Sequence, residues 1–222
     1  MGEVMVLVFA SNNVHKLAEV RQIMPPHITV LSLREIGFTH DIEETGLTLE
    51  ENSAIKARTV AAFIRSQHSA VTGQIDGVFA DDTGLEIDAL DGRPGVYTAR
   101  WYLQDAGVKE AETEQENYAL NRAKALRELA GKSDRNCQFR TVITWIKLSA
   151  VNNQQSELQV EGIVRGRITT EEFGQGGFGY DPIFVPEGYD KTFGELPADV
   201  KNNISHRARA MVALVNVLEK DA

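Results

Sequence analysis

The residues best suited to chemistry lie in the stretch FADDTGLEIDALDGRPGVYTARW, from Phe79 to Trp101. Two neighbouring acids, Asp81 and Asp82, close the short apolar run Val78-Phe79-Ala80, and Thr83 and Gly84 follow them. Adjacent carboxylates beside a hydroxyl and a glycine suit divalent-metal binding or activation of a water. Asp, Thr and Gly are also ordinary turn residues, so a plain β-turn is the competing reading. Either way, the pattern predicts a strand, a tight turn, and a second strand over Leu85–Ile87. Gly92, Pro94 and Gly95 then predict a rigid loop, with Tyr97 and Trp101 packed beneath the acids.

Three other stretches carry chemistry. Ser11-Asn12-Asn13 joins the apolar run Val4–Ala10 to a helical pattern at Leu17, Val20, Arg21 and Met24. A buried strand feeding a helix N-terminus presents free N–H groups and a positive dipole end, an anion site to which Lys16 would add an ammonium. The glycine fingerprints of the P-loop and the dinucleotide fold are absent, and a simple helix cap with a solvated lysine is the alternative. Phe173–Asp181, FGQGGFGYD, holds four glycines in nine residues. Such a loop needs positive φ or close approach of a ligand. Phe178 and Tyr180 offer aromatic surface on which a purine could stack, worth roughly 1–3 kcal/mol; a glycine-rich hairpin with core aromatics is the rival. Lys201–Arg209, KNNISHRAR, is the densest cationic cluster of the chain, with Ser205 placed to cap a C-terminal helix through Met211, Leu214 and Leu218. His206 and Arg207 then oppose the helix dipole, a local misfit of the kind found at functional sites, although a surface charge run reads the same way.

The elements around these residues predict an α/β chain. Its 222 residues suffice for one domain with a sizeable core, and 42% hydrophobic with 25% charged residues is ordinary for a soluble protein. A net charge of −9 argues against wrapping nucleic acid. Cys137 is the sole cysteine, which excludes an intrachain disulfide and fits a cytoplasmic setting. The N-terminal residues carry no signal-peptide pattern, and no apolar run approaches a membrane span. Strand, helix and a second strand over Ile28–Leu33 make a βαβ-like opening. The acidic turn Asp41–Gly46 precedes a helix over Leu47–Arg65, where Asn52 and Lys56, four apart, share a face beside Glu51. Glu43 and Glu44 either favour that helix's positive end or bring a carboxylate to a metal shared with Asp82. A polar loop over His68–Gly77, a solvated structural helix over Thr113–Leu129, and antiparallel strands over Gln138–Ser149 and Glu157–Ile168, joined by a polar turn at Val151–Ser156, complete the pattern. Gly162 and Gly166 mark a bulge or close packing in the second of those strands.

An anion turn, carboxylates, a glycine–aromatic loop and a basic cluster are together what a nucleoside triphosphate needs for its phosphates, its metal and its base. The chain resembles the inosine triphosphate pyrophosphatases, also called non-standard purine or dITP/XTP pyrophosphatases. The resemblance runs from FASNNVHKLAEV through EETGLTLEENSAIKA, FADDTGLEIDALDGRPGVYTARW and GGFGYDPIF to KNNISHRARA. It implies a single α/β domain over residues 1–222, with an elongated, mixed, twisted sheet flanked by helices, two lobes and a central cleft. It further implies a homodimer that hydrolyses ITP, dITP and XTP to the monophosphate and pyrophosphate with Mg²⁺.

By position, the resemblance makes Ser11, Asn12, Asn13 and Lys16 the grip on the triphosphate, and Glu43, Glu44 and Asp82 the metal ligands. Asp82 is also the proton acceptor, supported by Asp81, with Lys56 stabilising charge. Asn52, Thr83, Phe178, Gly179, Tyr180, Asp181, Lys201, His206 and Arg207 match substrate-binding positions. Asn12 is a departure, because many members carry Gly there in a T-G-N turn. Two other readings stay open: a pyrophosphatase of broader or modified-pyrimidine specificity, and a nucleotide-binding module without turnover.

Overall fold

The apolar run after Val4 becomes strand β1, Met5–Phe9, with Leu7, Val8 and Phe9 wholly buried. The computed structural model describes residues 4–67, 74–148 and 156–220; most of the loop expected over 68–77 and of the turn expected over 151–156 lies outside them. Asn13 caps helix α1, Val14–Ile23, accepting from the Lys16 backbone N–H at 2.9 Å. Strand β2, Ile28–Leu31, pairs parallel with β1, confirming the βαβ-like opening. It stops two residues short of Leu33 because the Ser32 N–H turns to the Glu35 carboxylate at 2.7 Å. Helix α2, Leu49–Ser66, starts behind a Thr48 cap, which leaves Leu47 exposed outside it.

The expected strand–turn–strand around the acids is not formed. Gly77–Ile87 is one strand, β3, passing straight through Asp81, Asp82, Thr83 and Gly84. Its first part pairs parallel with β1, and its far end pairs antiparallel with the two-residue β4, Pro94–Gly95. Pairing at both ends overrides the local turn propensity of Asp, Thr and Gly. Because a strand alternates, Phe79 packs with Phe9, Val20, Met211 and Leu214, whereas Val78 and Ala80 pack with Val8, Ala57 and Val60. The same alternation sends Asp81 and Asp82 to opposite faces.

Downstream come α3, Glu114–Glu128; β5, Asn136–Lys147; β6, Ser156–Ile168; β7, Phe184–Pro186; α4, Ala198–Ile204; and α5, His206–Leu218. The mixed sheet has the order β2-β1-β3-β5-β6-β7, with β4 on β3, and β7 runs antiparallel to β6. The fold is thus the expected α/β class with a mixed sheet flanked by helices. No helix among the described residues is long and apolar enough to cross a membrane.

Two compact units divide the chain. The first comprises Met1–Asp82, Thr141–Gly162 and Arg207–Ala222; its core lies on both faces of the strands, against α1 and α5 on one side and α2 on the other. The second comprises Thr83–Arg140 and Ile163–His206, around Leu85, Trp101, Leu129, Phe139, Phe184 and Phe193. Trp101 is buried as expected, but Tyr97 is exposed. Helix α3 is less solvated than its charge pattern suggests. Lys124 is buried, donating to the Trp101 carbonyl at 3.0 Å and pairing with Asp105 at 2.7 Å. Asn121 accepts from the Tyr102 N–H and donates to the Ala99 carbonyl, each at 3.0 Å.

Gly166 is a close-packing glycine, since a Cβ there would meet the Val185 carbonyl and the Phe184 ring. Gly77 is tighter still: its Cβ would fall inside the Trp145 ring and 2.7 Å from the Ile146 carbonyl. Gly77→Ala therefore overpacks the first unit and lowers the unfolding free energy by about 1–3 kcal/mol. Urea denaturation measures it, and an unchanged midpoint would contradict the packing.

Candidate active site

The end of β3 in the first unit carries two buried ion networks, one per face. On the α1/α5 side, Asp81 is 1% exposed. Its Oδ1 accepts from Lys16 Nζ at 3.0 Å and its Oδ2 from Arg207 Nε at 3.1 Å. Arg207, itself 2% exposed, also pairs with Glu19 of α1 through Nη1. On the α2 side, Asp82 Oδ1 accepts from Lys56 Nζ at 3.0 Å, and the same ammonium reaches Glu44 Oε1 at 2.9 Å. Lys56 and Asp82 are each 7% exposed. Two adjacent acids therefore have two different sets of partners, where the sequence suggested a single carboxylate pair.

Their acidities diverge accordingly. Burial by itself would raise Asp81, but Lys16, Arg207 and Lys56 outweigh it and hold the carboxyl well below the usual range. Asp82 is raised: burial dominates, Glu44 adds repulsion, and Lys56 and Lys16 only partly offset them. Burial also lowers Lys16, helped by Arg207 and Lys56 and opposed by Asp81. Lys56 moves up, because Asp82 and Glu44 overcome its own desolvation. The two neighbouring acids thus move in opposite directions, the pattern that separates acid–base roles in enzymes.

In the turn between β1 and α1, Ser11 Oγ accepts from the Asn13 N–H at 3.3 Å, Asn13 is the helix cap, and Asn12 is exposed. The first turn of α1 holds no acidic residue, which leaves its positive end uncompensated there. The acidic segment Asp41–Gly46 has no helix or strand of its own. Within it Glu44 meets Lys56, Glu43 is exposed, and Gly46 donates to Asn52 Oδ1 at 2.8 Å. Among the described residues no group of three or more His, Cys, Asp or Glu is gathered to hold a metal. What exists is a carboxylate pair, Glu44 and Asp82, sharing one cationic neighbour.

In the second unit, Asp181 organises the glycine–aromatic loop. Its Oδ2 accepts from the Phe178 N–H at 2.7 Å and from Lys201 Nζ at 2.6 Å. Gly177, at φ +72°, is required there because a Cβ would collide with that carboxylate. The Lys201 ammonium lies 4.6 Å from the Phe178 ring centroid, and Arg122 Nη1 donates to the Gly179 carbonyl at 2.9 Å. Tyr180 corrects the sequence expectation of aromatic surface. It is 4% exposed, its hydroxyl donates to the Thr98 carbonyl at 2.9 Å, and its ring packs edge-on to Phe139. Thr83, next after Asp82 on β3, is half-buried.

KNNISHRAR does not lie on one helix. It is two helices, α4 and α5, with Ser205 closing the first and preceding the second. Lys201 pairs with Asp181, Arg207 pairs with Asp81 and Glu19, the His206 ring stacks on Phe139 at 4.7 Å, and Arg209 is exposed. Sequence reading missed Glu19 and Arg122. Glu19 could have been found, since it stands three residues after Lys16 on the same helix face. Nothing local announces that Arg122 bonds a carbonyl 57 residues away.

Residues 7–217 match the Ham1 family. A dITP/XTP pyrophosphatase of Flavobacterium johnsoniae is 43% identical over 214 residues, which covers 96% of this chain and 98% of that protein. One of Bacillus subtilis is 44% identical, with 96% of both chains covered. Among solved structures, the Staphylococcus aureus Ham1 protein aligns with a TM-score of 0.77 at 34% identity, covering 98% of this chain and all of that one (100%).

The burial of Arg207 has a consequence for stability. Arg207→Ala leaves Asp81 and Glu19 without their shared guanidinium, and removing one partner of a buried ion pair costs about 3–5 kcal/mol. Chemical denaturation of the purified variant should show that loss, with Arg207→Lys recovering part of it. A variant as stable as the parent would place the guanidinium in solvent.

Proposed function

This chain belongs to the Ham1 family, and we propose that it hydrolyses the α–β phosphoanhydride of ITP, dITP and XTP, giving the nucleoside monophosphate and pyrophosphate. The observation that carries the reading is the pair of ion networks at the end of β3, in which two buried carboxylates pair with buried cations. The names of the dITP/XTP pyrophosphatase relatives support the substrate class. Such an enzyme removes deaminated purines from the triphosphate pool, a task for the cytoplasm. We also take it to act as a homodimer of one-domain chains, as the resemblance implies.

The chemistry follows from the side chains. Hydrolysis needs an activated water, neutralised phosphate oxygens and in-line positioning. Asp82 accepts the proton of the attacking water; burial raises its affinity for protons, which suits a general base. Asp81 stays ionised and holds Lys16 and Arg207 in place. Lys16 and the N-terminal turn of α1, with Ser11, Asn12 and Asn13, take the phosphates. Lys56 steadies the charge that develops as pyrophosphate leaves.

Glu44 and Asp82, with Glu43 adjacent, would hold Mg²⁺. Their hard oxygens converging on one cation fit an ion that takes one or two carboxylates and fills its shell with water and phosphate. When bound, Mg²⁺ supplies charge neutralisation on the phosphates and lowers the pKa of a bound water.

For the base, the Phe178 ring is the stacking surface, and Tyr180 buttresses the loop from the core. Donors from Gly179, Lys201 and His206, with Thr83 as a further contact, favour a 6-oxo purine. Donors left unpaired against the adenine amino group can discriminate by roughly 10⁴-fold.

The test is pyrophosphate release from dITP, XTP, ITP, GTP and ATP, with and without Mg²⁺. Release from the three deaminated purines far above ATP is expected. Equal turnover of ATP would remove the base selectivity, and binding without release would remove the enzyme. Asp82→Asn is expected to cut kcat by about 10²–10⁴-fold while keeping the fold by circular dichroism; retained turnover would exclude Asp82 as the base.

A further inference from the structure

Asn52 is fully buried in the first unit, yet among the described residues it bonds neither Asp82 nor any other ionised group. Its Oδ1 accepts the Gly46 backbone N–H at 2.8 Å. Its Nδ2 is buried without a hydrogen-bond partner among the described residues. An unsatisfied buried donor is destabilising, so the amide is held this way against its own preference. Exchanging oxygen and nitrogen would face Nδ2 to the Gly46 N–H, donor against donor; the side chain is oriented by that one bond.

Gly46 is built to receive it. A Cβ at Gly46 would lie 2.6 Å from Asn52 Oδ1 and 2.6 Å from Glu51 Cβ. Next to it, the Leu47 N–H donates to Glu51 Oε2 at 2.6 Å, and Thr48 caps α2. The acidic segment Asp41–Gly46, which has no regular structure, is thus tied to α2 at its C-terminal end by local bonds, of which the Gly46–Asn52 bond is neutral. Among the described residues, the only tie at its carboxylates is the Glu44–Lys56 ion pair. That tie is conditional, because an arriving cation or phosphate competes for Glu44 and for Lys56, whereas the amide–backbone bond does not change with charge.

We propose that Asn52 is a positioning residue that anchors the acidic segment to α2 and thereby keeps Glu44, two residues before Gly46, within reach of a divalent cation shared with Asp82. The proposal rests on the hydrolase reading above for the cation's purpose, but not for its measurement. Asn52 acts here through the backbone of Gly46 and does not touch substrate, which revises the substrate-binding role that the resemblance implies for it. Supports behind metal ligands characteristically govern metal affinity by 10–100-fold when removed.

The experiment compares the parent with Asn52→Ala and Gly46→Ala, the second variant disturbing the same contact from the other side while keeping Asn52. Mn²⁺ binding is read from the free-ion electron paramagnetic resonance signal, in the presence of a non-hydrolysable α,β-imido analogue of dITP. Half-saturating Mg²⁺ and kcat at saturating Mg²⁺ are then measured with dITP. Both variants are expected to weaken Mn²⁺ binding by about tenfold or more and to raise half-saturating Mg²⁺ in parallel, with kcat recovering as the cation saturates. Parent-like Mn²⁺ affinity in folded variants overturns the proposal. So does a lowered kcat that no cation concentration restores, which would put Asn52 on the substrate. Should Asn52→Ala not fold, Gly46→Ala carries the same two outcomes. Failure of the parent to release pyrophosphate would refute the hydrolase reading, while the Mn²⁺ titration would still decide the anchor.

Discussion

The first unit depends on one constraint: successive residues of a strand point to opposite faces. Asp81 and Asp82 are adjacent in sequence, but β3 hands the first to α1 and α5 and the second to α2. Two ionised carboxylates confined together would repel and force one to protonate. Separated by the sheet, each bonds cations on its own side, and their acidities move in opposite directions. The cations inherit different duties. Arg207 is locked between two acids, while Lys56 bridges two acids that a metal could also share.

Neutral contacts hold the frame in which these charges operate. Backbone caps by Asn13 and Thr48 set the starts of α1 and α2, so that Lys16 falls in the first turn of one and Lys56 in the second turn of the other. Close-packing glycines bring backbones where side chains would not fit, at Gly77 against Trp145 and at Gly177 against Asp181. In the second unit a single carboxylate, Asp181, ties the Phe178 N–H to Lys201, so the glycine-rich loop is shaped by a buried ion pair with no strand to support it.

How much of this was readable in the sequence followed the range of the interaction. Caps at Asn13, Thr48 and Thr113 depend on residues three apart, and the helix starts are close to expectation. The parallel β1–β2 pair and the α/β class follow from apolar periodicity. The DDTG segment misled because its strand is enforced by β1 and β4, partners remote in sequence from a locally turn-like composition. KNNISHRAR shows a similar limit: crowding of cations in sequence says nothing about their acids, and Asp81 and Asp181, partners of Arg207 and Lys201, lie 126 and 20 residues away. Tyr180 looked like surface because its neighbours are glycines, yet its hydroxyl partner, Thr98, is 82 residues distant.

The central claim is that the two neighbouring acids are chemically unequal because they occupy opposite faces of one strand. Carbon-13 NMR titration of the Asp81 and Asp82 carboxyls, in protein stripped of divalent ions, measures this directly, with Asp81→Asn and Asp82→Asn for assignment. Asp82 should deprotonate above the ordinary aspartate value. Asp81 should remain ionised below it, so that its stabilising contribution is present above the unfolded-state value and lost only as pH falls through its depressed one. Two resonances titrating together near the ordinary aspartate value would contradict the account.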